Sequence, residues 1–203
     1  MPIPRHALPP APPGHRIGLF GGSFDPPHAG HLALSRMARR VLELDQVWWL
    51  VSPGNPLKPH GPAPLEDRIS RAAAMTVGDP YVRVTGIEER LGTRYTAQTL
   101  QALLPLWPRV NFVWLMGADS LASLHRWGDW RAIPHMLPLA AFARPGQGMA
   151  ALHSVAARSH ARDRVPAARA RSIVTARPPA WVFLQMPMVR ESSSRIRAEE
   201  QNR

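Results

Sequence analysis

The sequence contains no cysteine and no long apolar run. Without cysteine, disulfide bonds, thiolate chemistry and thiolate metal sites are excluded. No apolar run approaches the roughly 20 residues that a membrane-spanning helix requires. Residues 1–15 carry six prolines and lack the apolar core of a signal peptide. These absences favour a cytoplasmic protein with no membrane partner.

Acidic residues are also scarce, since 14 Asp and Glu stand against 25 Lys and Arg, for a net charge of +11. The basic excess is concentrated between residues 144 and 177, where Asp163 is the only acid. Such a charge is typical of a soluble Arg-rich protein and also of one that binds polyanions. No helix-turn-helix, zinc-finger or RNP signature accompanies it. Nucleic-acid binding is therefore only a distant alternative, and no nucleic-acid partner is expected.

Near-continuously apolar runs alternate with helical patterns along the chain, which is typical of a parallel sheet covered on both faces. The pattern predicts strands at residues 17–20, 47–51, 82–85, 110–116, 139–143 and 181–184. It predicts helices at residues 31–44, 65–77, 96–104 and 120–124, with Thr96 as an N-cap, partial helix in residues 149–170 and a last helix from about residue 192. The expected fold is α/β: a doubly wound, mostly parallel sheet in a single domain, residues 16–203, behind a flexible Pro-rich leader, residues 1–15.

The stretch from residue 20 to residue 32 reads Phe-Gly-Gly-Ser-Phe-Asp-Pro-Pro-His-Ala-Gly-His-Leu, at the point where a predicted strand turns into a predicted helix. Gly21 and Gly22 let a phosphate approach the backbone, and the first N–H groups of a helix attract anions. His28 and His31 stand at the helix entrance, where both imidazoles can donate to phosphate oxygens. The stretch is neither a Gly-x-Gly-x-x-Gly fingerprint nor a Walker A loop. It predicts a nucleotide phosphate site.

This stretch resembles the signature of the nucleotidyltransferase superfamily that carries a His-x-Gly-His motif. Within that superfamily it is most similar to the bacterial nicotinate-nucleotide adenylyltransferases. The resemblance implies a Rossmann-like fold and adenylyl transfer from ATP to nicotinate mononucleotide, which gives deamido-NAD and pyrophosphate in NAD biosynthesis. It implies Mg²⁺ held by the phosphates rather than by a protein metal site. Catalytic roles are implied for His28 and His31, and ATP contacts for these two and for Gly21, Gly22, Ser23 and Phe24.

A second motif lies near the C-terminus, where residues 192–197 read Ser-Ser-Ser-Arg-Ile-Arg. Hydroxyls and first-turn amides at a helix start, together with an arginine fork, suit phosphate binding, although a serine cluster is commonly only a helix cap. The motif is similar to the family's Ser-Ser-Thr-x-Ile-Arg, with Ser194 in place of Thr. The resemblance implies that Ser193, Ser194 and Arg197 contact the outer phosphates of ATP.

A third motif, Met-Gly-Ala-Asp-Ser at residues 116–120, follows the fourth predicted strand. By itself Asp119 is a helix cap or a diol acceptor. The resemblance implies that Gly117 and Asp119 meet the ribose hydroxyls of ATP. Trp127 and Trp130 follow, and either is a core residue or a platform for a flat ring. In the family the first such tryptophan lies against the nicotinate ring.

Three further residues are candidates for binding the mononucleotide. Thr96 belongs to Thr-Arg-Tyr-Thr at residues 93–96, which is similar to the family's Ser-Tyr-Thr element for the pyridine carboxylate. Arg94 departs from that element. Lys58 and Arg144, each by itself a surface charge, correspond to family positions near the mononucleotide phosphate.

Two alternatives remain within the same superfamily, namely a nicotinamide-mononucleotide and a phosphopantetheine adenylyltransferase. The preference for an acid or an amide nucleotide stays open at this point, and so does a homo-oligomeric state.

Overall fold

The computed structural model describes residues 9–54, 61–146, 148–187 and 196. In these residues seven strands form one parallel sheet, in the order β3-β2-β1-β4-β5-β7-β6. The strands are β1 (Arg16–Gly22), β2 (Gln46–Val51), β3 (Val82–Thr85), β4 (Asn111–Gly117), β5 (Leu139–Ala143), β6 (Arg164–Val165) and β7 (Trp181–Gln185). All six predicted strands are present, and the predicted doubly wound α/β fold is confirmed.

Helices connect the strands and cover both faces of the sheet. In the described residues they are α1 (Ala29–Leu42), α2 (Leu65–Thr76), α3 (Ile87–Leu91), α4 (Thr96–Leu103), α5 (Ala118–Ser123), α6 (Ile133–Met136), α7 (Gly148–Leu152) and α8 (Val155–Ser159). The predicted N-cap at Thr96 is wrong, because Tyr95 has the extended cap conformation and Thr96 is the first helical residue. The predicted helix start near residue 192 lies outside the described residues, apart from Ile196, which is helical.

The Arg-rich segment, residues 144–177, is only partly helical, as predicted for residues 149–170. Beyond α8 it forms short 3₁₀ turns at Ala161–Asp163 and Ala167–Thr175, with β6 between them. β6 is two residues long and pairs with β7 at the edge of the sheet.

Two apolar layers hold the helices to the sheet, because successive side chains of a strand point to opposite faces. On β2, Trp48 packs into the layer beneath α3 to α8, whereas Trp49 packs into the layer beneath α1 and α2. Both indoles are fully buried.

The strand order reverses between β1 and β4, which are neighbours at the centre of the sheet. In open α/β sheets, ligands bind beyond the carboxyl ends of the strands at such a switch point. Here those ends are Gly22 and Gly117. The turn from β1 to α1 and the turn from β4 to α5 therefore meet at one place.

Part of the predicted leader contacts the body of the fold. The Gly14 N–H donates to the Arg109 carbonyl at 2.7 Å, the Asn111 N–H donates to the His15 carbonyl at 2.8 Å, and Ala11 packs on the core. Residues 11–15 thus lie against the start of β4. A flexible leader stays a prediction for the residues before them, of which residues 1–8 lie outside the described residues.

Candidate active site

The two histidines of the β1–α1 turn close the start of α1 as a reciprocal cap. His28 is the N-cap residue, and its Nδ1 accepts the Gly30 N–H at 3.0 Å. The Nδ1 of His31 accepts the His28 N–H at 3.1 Å. A neutral imidazole carries its proton on the nitrogen that does not accept. From these bonds we infer that both rings carry the proton on Nε2.

The two rings lie side by side, with centroids 3.8 Å apart. The His31 ring also packs against aromatic rings of the core, those of Phe24 at 4.7 Å and of Trp49 at 5.8 Å. Burial, together with the electrostatic influence of His28 and of Arg144, lowers the pKa of His31 to about 3. His31 is therefore a neutral donor at physiological pH.

Phe24 fixes the shape of the turn that carries the histidines. Its φ of 47° lies in the left-handed region, which is costly for a residue with a large side chain. Its ring is buried and stacks on Trp49, with centroids 4.7 Å apart and planes 14° apart. Packing of this ring holds the strained backbone in place. Phe24 therefore contributes structure to the turn, and the ATP contact that the resemblance implied for it stays a prediction.

Arg68 of α2 is a second support of this turn, and sequence reasoning missed it. The residue is 1% exposed, and its guanidinium donates to four backbone carbonyls. The acceptors are Ala63, Ser23 and Ser52 at 2.7 Å and Pro53 at 3.2 Å. One side chain thus ties the loop after β1 to the loop after β2 and to the start of α2.

A cavity of about 290 Å³ opens at the switch point. One wall is the end of the β1 turn, Gly21, Gly22 and Ser23. The other walls are formed by residues from β4 onward and by the segment that leads into α4; they include Trp114, Asp119, Trp127, Gly128, Arg94, Tyr95 and Thr96. The loop that carries the histidines is therefore also a wall of the cavity.

Close packing at this wall requires glycine at two strand ends. A Cβ on Gly21 would lie 2.5 Å from Trp114 Cη2, and a Cβ on Gly117 would collide with the Asp119 carboxylate. Gly117 is the N-cap of α5, and Asp119 lies in the first turn of that helix. The missing side chain at Gly117 leaves room for the carboxylate over the strand end.

The structure separates the two tryptophans that the sequence left undecided. Trp127 lies in the cavity wall and is partly buried against the core. Trp130 is buried in the core, and Arg131 covers its ring at 4.8 Å. Of these two tryptophans, Trp127 is the one placed to meet a ligand in the cavity.

Glu88 of α3 is a second residue that sequence reasoning missed. It lines the cavity but is only 5% exposed. Burial raises the pKa of Glu88 to about 7, against a hydrogen bond with Thr99 that lowers it. The Thr99 hydroxyl also lies 2.9 Å from that of Thr93 and 3.2 Å from the Tyr95 carbonyl, to which it donates. The Glu88 carboxyl thus belongs to the hydrogen-bonded group of side chains that supports the start of α4.

The remaining predicted site residues divide into two groups. Arg144 follows β5 and lies close enough for its charge to act on His31. Lys58, Ser193, Ser194 and Arg197 lie outside the described residues.

Two other kinds of site are absent from the described residues. In residues 9–54, 61–146, 148–187 and 196, no group of three or more His, Asp or Glu side chains forms a metal site. In the same part of the chain, no helix has the length and apolar character needed to cross a membrane.

Comparison with known proteins agrees with this geometry. A family model described as cytidylyltransferase-like matches residues 19–199. The chain belongs to the cytidylyltransferase-like family. It is accordingly a nucleotidyltransferase, as the resemblance implied.

Relatives in this family align over nearly the whole chain. A protein of Ruegeria pomeroyi is 55% identical over 194 residues, which cover 96% of this chain and 91% of the relative. A protein of Cereibacter sphaeroides is 56% identical over 182 residues, which cover 90% of this chain and 96% of the relative. Both carry the name probable nicotinate-nucleotide adenylyltransferase.

The fold is also that of a protein of known structure. A nicotinic acid mononucleotide adenylyltransferase of Plasmodium falciparum, complexed with NaAD, superposes with a TM-score of 0.64 at 16% identity. The superposition covers 90% of this chain and 82% of that one.

Proposed function

We propose that this protein transfers the adenylyl group of ATP to nicotinate mononucleotide, giving deamido-NAD and pyrophosphate. The observation that carries the proposal is the pair of capped histidines. They close the start of α1 directly after the β1 turn, and Gly21, Gly22 and Ser23 of that turn line a cavity that has Trp127 on another wall. The names of the relatives support the same reaction.

The reaction is an in-line displacement at the α-phosphorus of ATP. A phosphate oxygen of the mononucleotide forms the new bond, the bond from the α-phosphorus to the oxygen that bridges to the β-phosphorus breaks, and pyrophosphate leaves with that oxygen. Such a transfer depends on positioning and on stabilising charge rather than on a covalent nucleophile. His28 and His31 donate from Nε2 to the phosphate oxygens on which charge develops. Because the tautomers are set by the cap, these donors need no reorganisation during the reaction.

The two nucleosides occupy the cavity on either side of the reacting phosphates. Gly117 and Asp119 serve the ribose hydroxyls of ATP, since a carboxylate accepts hydrogen bonds from a diol. Trp127 gives a flat face for the pyridine ring, and the first turn of α4 at Thr96 faces its substituent. We also assign Arg144 and Lys58 to the mononucleotide phosphate, and Ser193, Ser194 and Arg197 to the outer phosphates of ATP.

ATP enters with Mg²⁺ as a complex, in which phosphate oxygens and water hold the ion. A cytoplasmic location and a homo-oligomeric state stay predictions.

The test is pyrophosphate release with ATP and each of three acceptors: nicotinate mononucleotide, its amide and phosphopantetheine. We expect the acid nucleotide to give the highest kcat/KM. A higher value for phosphopantetheine, or release only with the amide, would assign the protein to another branch of the family. Tight, strongly salt-dependent binding to DNA without any turnover would favour the nucleic-acid alternative.

A further inference from the structure

Arg94 is the residue at which the sequence departs from the family's Ser-Tyr-Thr element, and the structure places it in the cavity wall. It directly precedes Tyr95, the N-cap residue of α4, and lines the cavity together with Thr96 and Trp127. Tyr95, next to Arg94, packs closely on Gly128, next to Trp127. A Cβ added to Gly128 would lie only 2.9 Å from the Tyr95 ring. Arg94 is exposed and lines the part of the cavity that is proposed to take the pyridine ring.

The positive charge of Arg94 has no counter-ion in the described part of the chain. No carboxylate there lies within 4.0 Å of its guanidinium, and its one hydrogen bond runs from its backbone N–H to Gln98 Oε1 at 3.5 Å. Glu88, the buried acid of the same cavity, is influenced by burial and by Thr99 and not by a cation. An arginine that faces a cavity without a partner is available to a bound anion.

The start of α4 adds donors at the same place. Tyr95 makes no side-chain cap, so the first-turn N–H groups of α4 have no side-chain acceptor. A helix start and an arginine fork together suit a planar carboxylate, which accepts two parallel hydrogen bonds. A carboxamide has the same shape but no charge, and its NH₂ group would face these donors without an acceptor.

We propose that Arg94 recognises the carboxylate on the pyridine ring and sets the preference for the acid over the amide mononucleotide. This inference rests on the function proposed above and deepens it. It makes Arg94 a specificity residue, which acts on substrate binding and not on the transfer step.

The test compares kcat/KM for nicotinate mononucleotide and for its amide, at saturating MgATP, in wild type, Arg94→Gln and Arg94→Lys. We expect Arg94→Gln to lower kcat/KM for the acid about 10- to 100-fold, mainly through KM, because a hydrogen-bonded charge pair is lost. The value for the amide should stay within about 3-fold of wild type by the same argument. Arg94→Lys should restore part of the preference, since it keeps the charge and loses the fork.

Two further variants serve as comparisons. Arg71→Gln removes an exposed charge on α2, outside the cavity wall, and should keep the wild-type preference. Arg126→Gln removes the other arginine of the cavity wall and should also keep a preference for the acid. Thermal unfolding of each variant establishes that it is folded.

Several outcomes would overturn the assignment. An equal loss for both nucleotides in Arg94→Gln would show that the guanidinium holds the phosphate, which the two share. An unchanged preference would remove the role altogether, and a loss of preference only in Arg126→Gln would move it to that residue. If wild type turns over neither pyridine nucleotide, the proposed function fails and this inference fails with it. If wild type prefers the acid and Arg94→Gln does so equally, only this inference fails.

Discussion

The buried carboxyl of Glu88 gives the protein a stability that falls with rising pH. Folding raises the pKa of this group from 4.5 to about 7, because burial penalises the charged form. Between these two values the folded state binds the proton more tightly than the unfolded state does. The free energy of unfolding therefore decreases as pH rises through this window and levels off above it.

The size of this effect follows from the two pKa values. Each pKa unit corresponds to about 1.4 kcal/mol, so the rise from 4.5 to about 7 has a limit of about 3 kcal/mol. Between pH 5 and pH 8 the loss amounts to about 2.5 kcal/mol. When protonated, Glu88 can donate a hydrogen bond to the Thr99 hydroxyl, which in turn donates a hydrogen bond to the Tyr95 carbonyl.

The assay is urea unfolding of wild type and Glu88→Gln at several pH values from 5 to 8. Glutamine keeps the shape and a donor but does not titrate, and other titrating groups cancel in the difference between the two proteins. We expect wild type to lose about 2.5 kcal/mol relative to the variant across this range. Glu89→Gln, at the exposed neighbouring position, should follow wild type. Parallel curves for wild type and Glu88→Gln would refute the reasoning.

Three other changes have defined outcomes. His31→Ala should lower kcat about 100-fold through loss of a donor to the transition state, and near-normal pyrophosphate release would contradict this. Arg68→Gln should lower the free energy of unfolding by about 3 kcal/mol, because buried carbonyls lose their donor; a change under about 0.5 kcal/mol in urea unfolding would count against this. Asp79, 4% exposed, accepts from Arg36 at 2.9 Å, and this partner lowers the pKa of Asp79 from 3.8. Asp79→Asn should therefore cost about 1–2 kcal/mol at pH 7, and this difference should vanish as pH falls below 3.8 in urea unfolding. Equal loss at pH 7 and pH 3 would be inconsistent with an ionised Asp79.

Much of the fold was predictable because the strands are buried on both faces and read as apolar runs. β3 and β5 match the predicted residues 82–85 and 139–143. α3 and β6 were missed for a physical reason. α3 is one five-residue turn between Gly86 and Gly92, and β6 is two residues long. Neither is long enough to show a period.

The site residues that belong to a sequence motif could be predicted. The charged residues whose role depends on burial could not. His28 and His31 have the spacing of the His-x-Gly-His motif, which indicates their role in phosphate binding. Arg68 and Glu88 each occur in a helical stretch where a charged side chain is ordinarily solvated. Only the tertiary structure shows that both are buried, one among carbonyls and the other in the cavity wall.

The central place of β1 has a consequence for synthesis of the chain. β1 is complete at Gly22, but its second neighbour, β4, begins only at Asn111. At ribosomal rates of 5–20 residues per second, this interval takes about 4 to 18 s. Until β4 has emerged, one side of β1 has unpaired backbone groups that can pair with another chain. β1, which leads into the turn with the histidines, is thus made early and stays open on one side until β4 is made, so aggregation during translation competes with formation of the site.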